Sequence, residues 1–119
     1  MDDLLLPARA LVLADLEARG LAHVVAVSVL EEAVSSRRWW AEQWAEGVAY
    51  VPGLVAQDVQ DALLDAGTRW PECRLCPEDE PVHVLRVSPE LGGPEPVWVC
   101  EERGEVVAPL GSLSGPRAL

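Results

Sequence analysis

Alanine and proline divide this chain into two unlike halves. Thirteen of its fifteen Ala precede Gly67, and eight of its ten Pro follow it. Ala is the least costly residue to place in a helix, whereas Pro lacks an N–H, fixes φ and punctuates turns. The segregation therefore predicts a helix-rich body over residues 1–67 and a Pro-rich module of strands and turns over 68–119. At 119 residues the two are expected to make one compact domain together.

Within the body, residues 4–19 predict a helix. Pro7 suits a first turn, Leu5, Ala8, Val12 and Leu16 form one apolar stripe, and Arg19-Gly20 supplies a stop. The β-branched run over residues 24–29 predicts a short strand. Residues 30–46 carry Leu30, Ala33, Val34, Arg37, Trp40 and Trp44 at helical spacing before Gly47, which predicts a second helix. Ser35-Ser36 interrupts that run, so a hairpin over 39–50 stays open as the alternative. Residues 53–66 give the clearest helix, opened by Pro52-Gly53 and closed by Gly67. Val55, Val59, Ala62, Leu63 and Ala66 point one way, and Asp58, Asp61 and Asp65 the other.

In the module, residues 82–87, 96–100 and 105–110 predict strands, with a turn at Glu101-Glu102-Arg103-Gly104. The fold class is α+β: two or three helices and a strand, carrying a C-terminal three-stranded antiparallel β-meander. So small a meander has too little core to stand alone. Either the body or a metal must hold it.

A metal is the sharper expectation. Two residues separate Cys73 from Cys76, a spacing that lets one turn aim two thiolates at a single point. His83 and Cys100 follow on separate strand candidates. Pairing Val87 with Pro96, across a loop containing Pro89, Gly92, Gly93 and Pro94, puts His83 opposite Cys100. The two then share a face with Cβ atoms about 5 Å apart. Three sulfurs and an imidazole nitrogen are donors that tetrahedral Zn²⁺ favours. In this respect residues 73–100 resemble zinc-ribbon and zinc-knuckle modules. The resemblance implies a structural zinc held by Cys73, Cys76, His83 and Cys100. It covers this segment alone, and the match is partial: a ribbon's second half brings another paired knuckle, whereas His83 and Cys100 bring one ligand each.

The same residues admit other uses. Cysteine is often buried as a small apolar side chain. A thioredoxin-type pair would need a helix to start at the first Cys, but Pro77-Glu78-Asp79-Glu80-Pro81 follows Cys76, and its acids disfavour a nearby thiolate. A catalytic zinc needs an open position and a base, a role for Glu78, Asp79 or Glu80 only if His83 is not a ligand. Four available ligands point to a closed site. The chain has no Ser/His/Asp set, Gly-rich phosphate loop or HExxH pattern, and no catalytic residue is assigned.

Twenty Asp and Glu face nine Arg and no Lys, for a net charge of −11. That balance excludes a general phosphate-backbone binder, which displaces counterions with clustered bases. Lys, Ile, Phe and Asn, all with A/T-rich codons, are absent, which reads as the signature of a GC-rich bacterial genome. Three cysteines, an odd number, fit poorly with a disulfide framework. Asp15, Glu17, Arg19, Glu31 and Glu32 break the apolar stretches well short of a membrane span. The acidic start Met1-Asp2-Asp3-Leu4 is unlike a secretory signal. A cytoplasmic protein is expected.

Trp39, Trp40 and Trp44 stand beside Arg37 and Arg38. Either they pack into the core with an Arg stacked on an indole, or they form a protein-contact patch, where Trp and Arg are favoured anchors. His23 reads as a core or edge residue. The function that fits is a small acidic zinc-binding protein acting as a non-enzymatic adaptor or regulator through protein contacts, with basic partners preferred. The alternative is a metal-dependent hydrolase or thiol-redox enzyme built on the same cluster.

Overall fold

The computed structural model describes residues 5–90 and 93–113. The acidic start with Leu4 of the first expected helix, Gly92 of the expected loop and residues 114–119 of the expected module lie outside them. Helix α1 runs over Leu6–Ala18 with Pro7 in its first turn, where an N–H has no helical partner to lose. Ala8, Val12, Asp15 and Leu16 are buried, at the spacing of one helix face. Helix α2 spans Val24–Gln43, a 3₁₀ turn covers Ala45–Tyr50, and helix α3 spans Val51–Asp65. The three helices pack on one another. At the end of α3, Gly67 takes a φ of +88° while its N–H donates to the Leu64 carbonyl and that of Thr68 to the Leu63 carbonyl. This closure needs the left-handed backbone that glycine adopts without a Cβ clash.

The strand expected over residues 24–29 does not form; those residues are the opening turns of α2. Ala26, Leu30, Ala33, Val34 and Ala41 make one buried stripe along the helix, while Val24 and Val25 are 81% and 56% exposed. β-branching is a weak preference that packing overrides, and here the run continues a helical face. The second helix thus starts six residues early, at 24 rather than 30, and the hairpin alternative over 39–50 gives way to the end of α2 and the 3₁₀ turn. His23, expected in the core or at a sheet edge, is the exposed residue that precedes α2, its carbonyl accepting the Val27 N–H at 2.8 Å. Ala66, expected to face inward, is exposed.

The tail forms the expected antiparallel meander, β1 (Arg86–Ser88), β2 (Val97–Cys100) and β3 (Glu105–Pro109), in the order β1-β2-β3. Strand β1 is shorter than residues 82–87 because the chain before it pairs elsewhere. Val84 bridges Glu72, the Cys73 N–H donates to the His83 carbonyl at 2.9 Å, and the Leu85 N–H donates to the Pro71 carbonyl at 2.8 Å. Val87 pairs with Trp98 rather than Pro96. That shift of two residues preserves which side chains share a face, since facing alternates with every residue.

Buried side chains of body and tail form one continuous cluster. In it Trp70 and Trp98 meet edge to face with centroids 5.3 Å apart. Polar side chains of the body also reach into the tail. The buried Asp15 carboxylate accepts from Trp98 Nε1 at 2.7 Å, the Gly111 N–H at 2.7 Å and the Leu113 N–H at 3.0 Å. Its backbone carbonyl accepts from Trp70 Nε1 at 3.3 Å. Gln60 of α3 donates to the carbonyls of Trp70 and Leu85 at 3.1 and 2.6 Å, and Arg19 donates to that of Glu72 at 2.7 Å. These bonds fix the three chain segments that carry Cys73 and Cys76, His83, and Cys100. No helix of the described residues is long and apolar enough to cross a membrane.

Candidate metal centre

The turn after Trp70 aims its two cysteines by backbone bonds. The Leu75 N–H donates to Cys73 Sγ at 3.3 Å, and the Asp79 N–H donates to the Cys76 carbonyl at 3.1 Å. Cys100 ends β2 on the same buried face as Trp98. His83 arrives from the segment that pairs with the Cys73 strand. Its backbone neighbour is therefore Cys73, not Cys100 as the expected register had it. The even register shift leaves His83 on the Cys100 side all the same, and the length of the imidazole closes the gap.

One donor atom from each of Cys73, Cys76, His83 and Cys100 lies within 4.8 Å of all the others. Cys76 Sγ is 3.8 Å from Cys100 Sγ, which is 3.7 Å from His83 Nε2. A tetrahedron with bonds of ~2.3 Å to sulfur and ~2.05 Å to nitrogen separates its donors by about 3.8 Å and about 3.6 Å. The cluster can thus hold a metal ion. All three cysteines are free and buried, and 3.8 Å is far beyond the ~2.05 Å of a disulfide.

His83 Nδ1 lies 2.8 Å from an Asp79 carboxylate oxygen. A carboxylate accepts there, so Nδ1 carries the hydrogen and Nε2 turns its lone pair toward the sulfurs. The His83 pKa is raised, chiefly by its bond with Cys100 and next by Asp79, against the opposing effect of burial. At Cys100 burial pushes the thiol up, but bonds from His83, the Arg103 backbone and the other cysteines outweigh it and bring it to about 7. At Cys76 the Arg103 side chain pulls down, yet burial and the neighbouring sulfurs prevail and push the thiol up to about 11. A metal entering this cluster must displace protons from its ligands.

The second expected group sits apart from this cluster, on the C-terminal part of α2 and the residue after it. Trp39 is 65% exposed and Trp44 44%, so neither is the core residue that one reading expected. Trp40 is half-buried under Arg37, whose guanidinium lies 5.7 Å from the ring centroid, so the stacking half of that reading does appear. Arg38 is half-buried and engaged with the rest of the protein.

Several residues that build the site carried little signal in the sequence. Asp79 was legible only as one acid of a run, although it stands four residues before His83. Asp15 falls on the buried stripe between Val12 and Leu16, and a carboxylate on an apolar face is a cue to a buried acceptor. Gln60 gives the same cue on α3. Arg103, beside Cys76, lies in an exposed turn with nothing local to mark it.

Residues 1–110 match the family described as Domain of unknown function (DUF8819), and the chain belongs to it. No curated protein and no solved structure matches the chain.

Proposed function

With that family membership as premise, we propose that this chain is a small acidic zinc protein. Its metal closes the C-terminal module, and it acts without catalysis, as an adaptor or regulator that contacts another protein. The convergence of three sulfurs and one imidazole nitrogen within 4.8 Å carries the proposal. Soft thiolates with imidazole select zinc over the hard cations that prefer oxygen. Cys73, Cys76, His83 and Cys100 would hold the ion. Four protein donors leave no position for an activated water, so the ion would supply cross-linking rather than Lewis-acid chemistry. Arg37, Arg38, Trp39, Trp40 and Trp44 form the proposed contact patch, and the net charge of −11 favours a basic partner.

Native mass spectrometry of the purified full chain tests the metal. About one zinc per chain is expected, and a strong chelator should remove it and release the tail, seen as a change in the environment of Trp70 and Trp98. Folded, metal-free protein with three reactive thiols would overturn the reading.

A further inference from the structure

We infer that the groove between α2 and α3 is the docking site for a basic, amphipathic segment of a partner protein. The inference deepens the adaptor reading and rests on it, but it uses none of the metal ligands. The groove has a volume of about 530 Å³ and is lined by the small side chains of Ala33 and Ala62 together with the indoles of Trp39 and Trp40. Trp39 leaves 65% of its surface in water, although Trp is a residue whose burial yields much of a core's or an interface's stability.

The aromatic side of this surface is held in place. Both oxygens of the Asp58 carboxylate accept from Arg37, at 2.8 and 3.0 Å, and so fix the guanidinium against Trp40. Trp40 in turn meets Trp44 edge to face at 5.2 Å, and Trp44 meets Tyr50 at 5.7 Å. Gly47 permits the stack, because a Cβ there would come within 2.7 Å of both indoles. A surface fixed beforehand loses little entropy when it is covered.

Charge selects the occupant. Arg37 and Asp58 neutralise each other, whereas Glu32, also lining the groove and exposed, has no ion-pair partner among the described residues. The groove is left negative in a chain of net charge −11. A second copy would bring its own −11, and a nucleic acid its phosphates, so both are repelled. A helical segment that presents Leu-type side chains beside an Arg or Lys meets both demands. Its apolar face covers Trp39 and the alanines, and its cation pairs with Glu32.

The test uses the full chain as purified and two short fluorescein-labelled helical peptides. They share one Leu face, flanked by Arg in the first and by Glu in the second. Fluorescence anisotropy should show the Arg peptide binding and the Glu peptide binding at least about tenfold more weakly. Trp39→Ala and Glu32→Arg should each weaken the Arg peptide by about tenfold or more, and Glu32→Arg should improve the Glu peptide. Leu6→Ala, an exposed apolar change on α1, should leave both unchanged. Zinc content and melting temperature, measured on every variant, should match the parent. If the Arg peptide binds but neither groove variant weakens it, the contact lies elsewhere: the groove is overturned and the adaptor reading survives. If neither peptide binds, the groove and the basic-partner reading both fall. If the chain self-associates and Trp39→Ala abolishes that, the occupant is a second copy and the inference is wrong.

Discussion

In the helical body, buried residues recur every three or four positions along helices of 13, 20 and 15 residues, whereas the strands of the tail have three, four and five residues. The body's inward faces carry Val12, Leu16, Leu30, Val55, Val59 and Leu63, each 2% exposed or less. Each contributes about 1.5–3 kcal/mol by leaving water, and many side chains of similar shape would serve. The tail instead depends on particular atoms: a carboxylate that gathers three donors, an amide that caps two carbonyls, and three sulfurs and an imidazole nitrogen brought within 4.8 Å of one another. The lesson is that tolerance to substitution should differ between the halves. Conservative apolar changes should pass in the body, and changes of a single atom should fail in the tail.

The most severe test is Cys100→Ser, which alters one atom of β2. We expect bound metal to drop from about one ion per chain to nearly none and the melting temperature to fall by more than about 10 °C. The far-UV helical signal at room temperature should persist. A parallel loss of that signal would show that body and tail are not distinct in what holds them.

Next in size is Asp15→Ala, which strands three donors and should cost about 3 kcal/mol in urea unfolding followed by Trp fluorescence. Val59→Ala, at an equally buried site of α3, should cost about 2 kcal/mol and leave metal affinity unchanged. Should Val59→Ala prove the costlier of the two, polar contacts are not what distinguishes the tail. Smaller again is Asp79→Ala, expected to weaken metal binding about tenfold in competition with a chelator while the melting temperature of metal-free protein stays the same.

The gentlest probe is pH. His83 has a raised pKa and the Cys76 thiol is pushed up to about 11, so metal-free protein holds protons on both more tightly than usual. Metal has to displace them, and affinity should therefore fall as pH falls, by about tenfold per pH unit for each proton displaced. Proton release on adding zinc in weak buffer would count them, and an affinity independent of pH would remove these two residues from the ligand set.

What could be read beforehand follows the same division. The stripes of α1 and α3 and the glycine that ends α3 were legible because periodicity and closure are local properties. Residues 24–29 misled because β-branching speaks for one residue at a time, while the helix was decided by the stripe running from Ala26 to Ala41. The cluster of Cys73, Cys76, His83 and Cys100 was legible from residue type and spacing. Their route together was not, since the pairing of Val84 with Glu72 depends on contacts from Gln60 and Arg19, which are distant in sequence. The exposure of Trp39 was likewise hidden, because its helical position fits a core as well as a surface.

Asp15 and Leu113 stand 98 residues apart, and their hydrogen bond sets an order of events during synthesis. Chains fold from the N-terminus as they emerge, at about 5–20 residues per second. Helices α1, α2 and α3 can meet once residue 65 is free, but Leu113 follows roughly 50 residues later, a wait of several seconds. Through that interval α1 carries a carboxylate on its inward face with its two backbone donors still to come. The nascent body therefore has one wet seam along its first helix, and it is sealed only when Gly111 and Leu113 have left the ribosome.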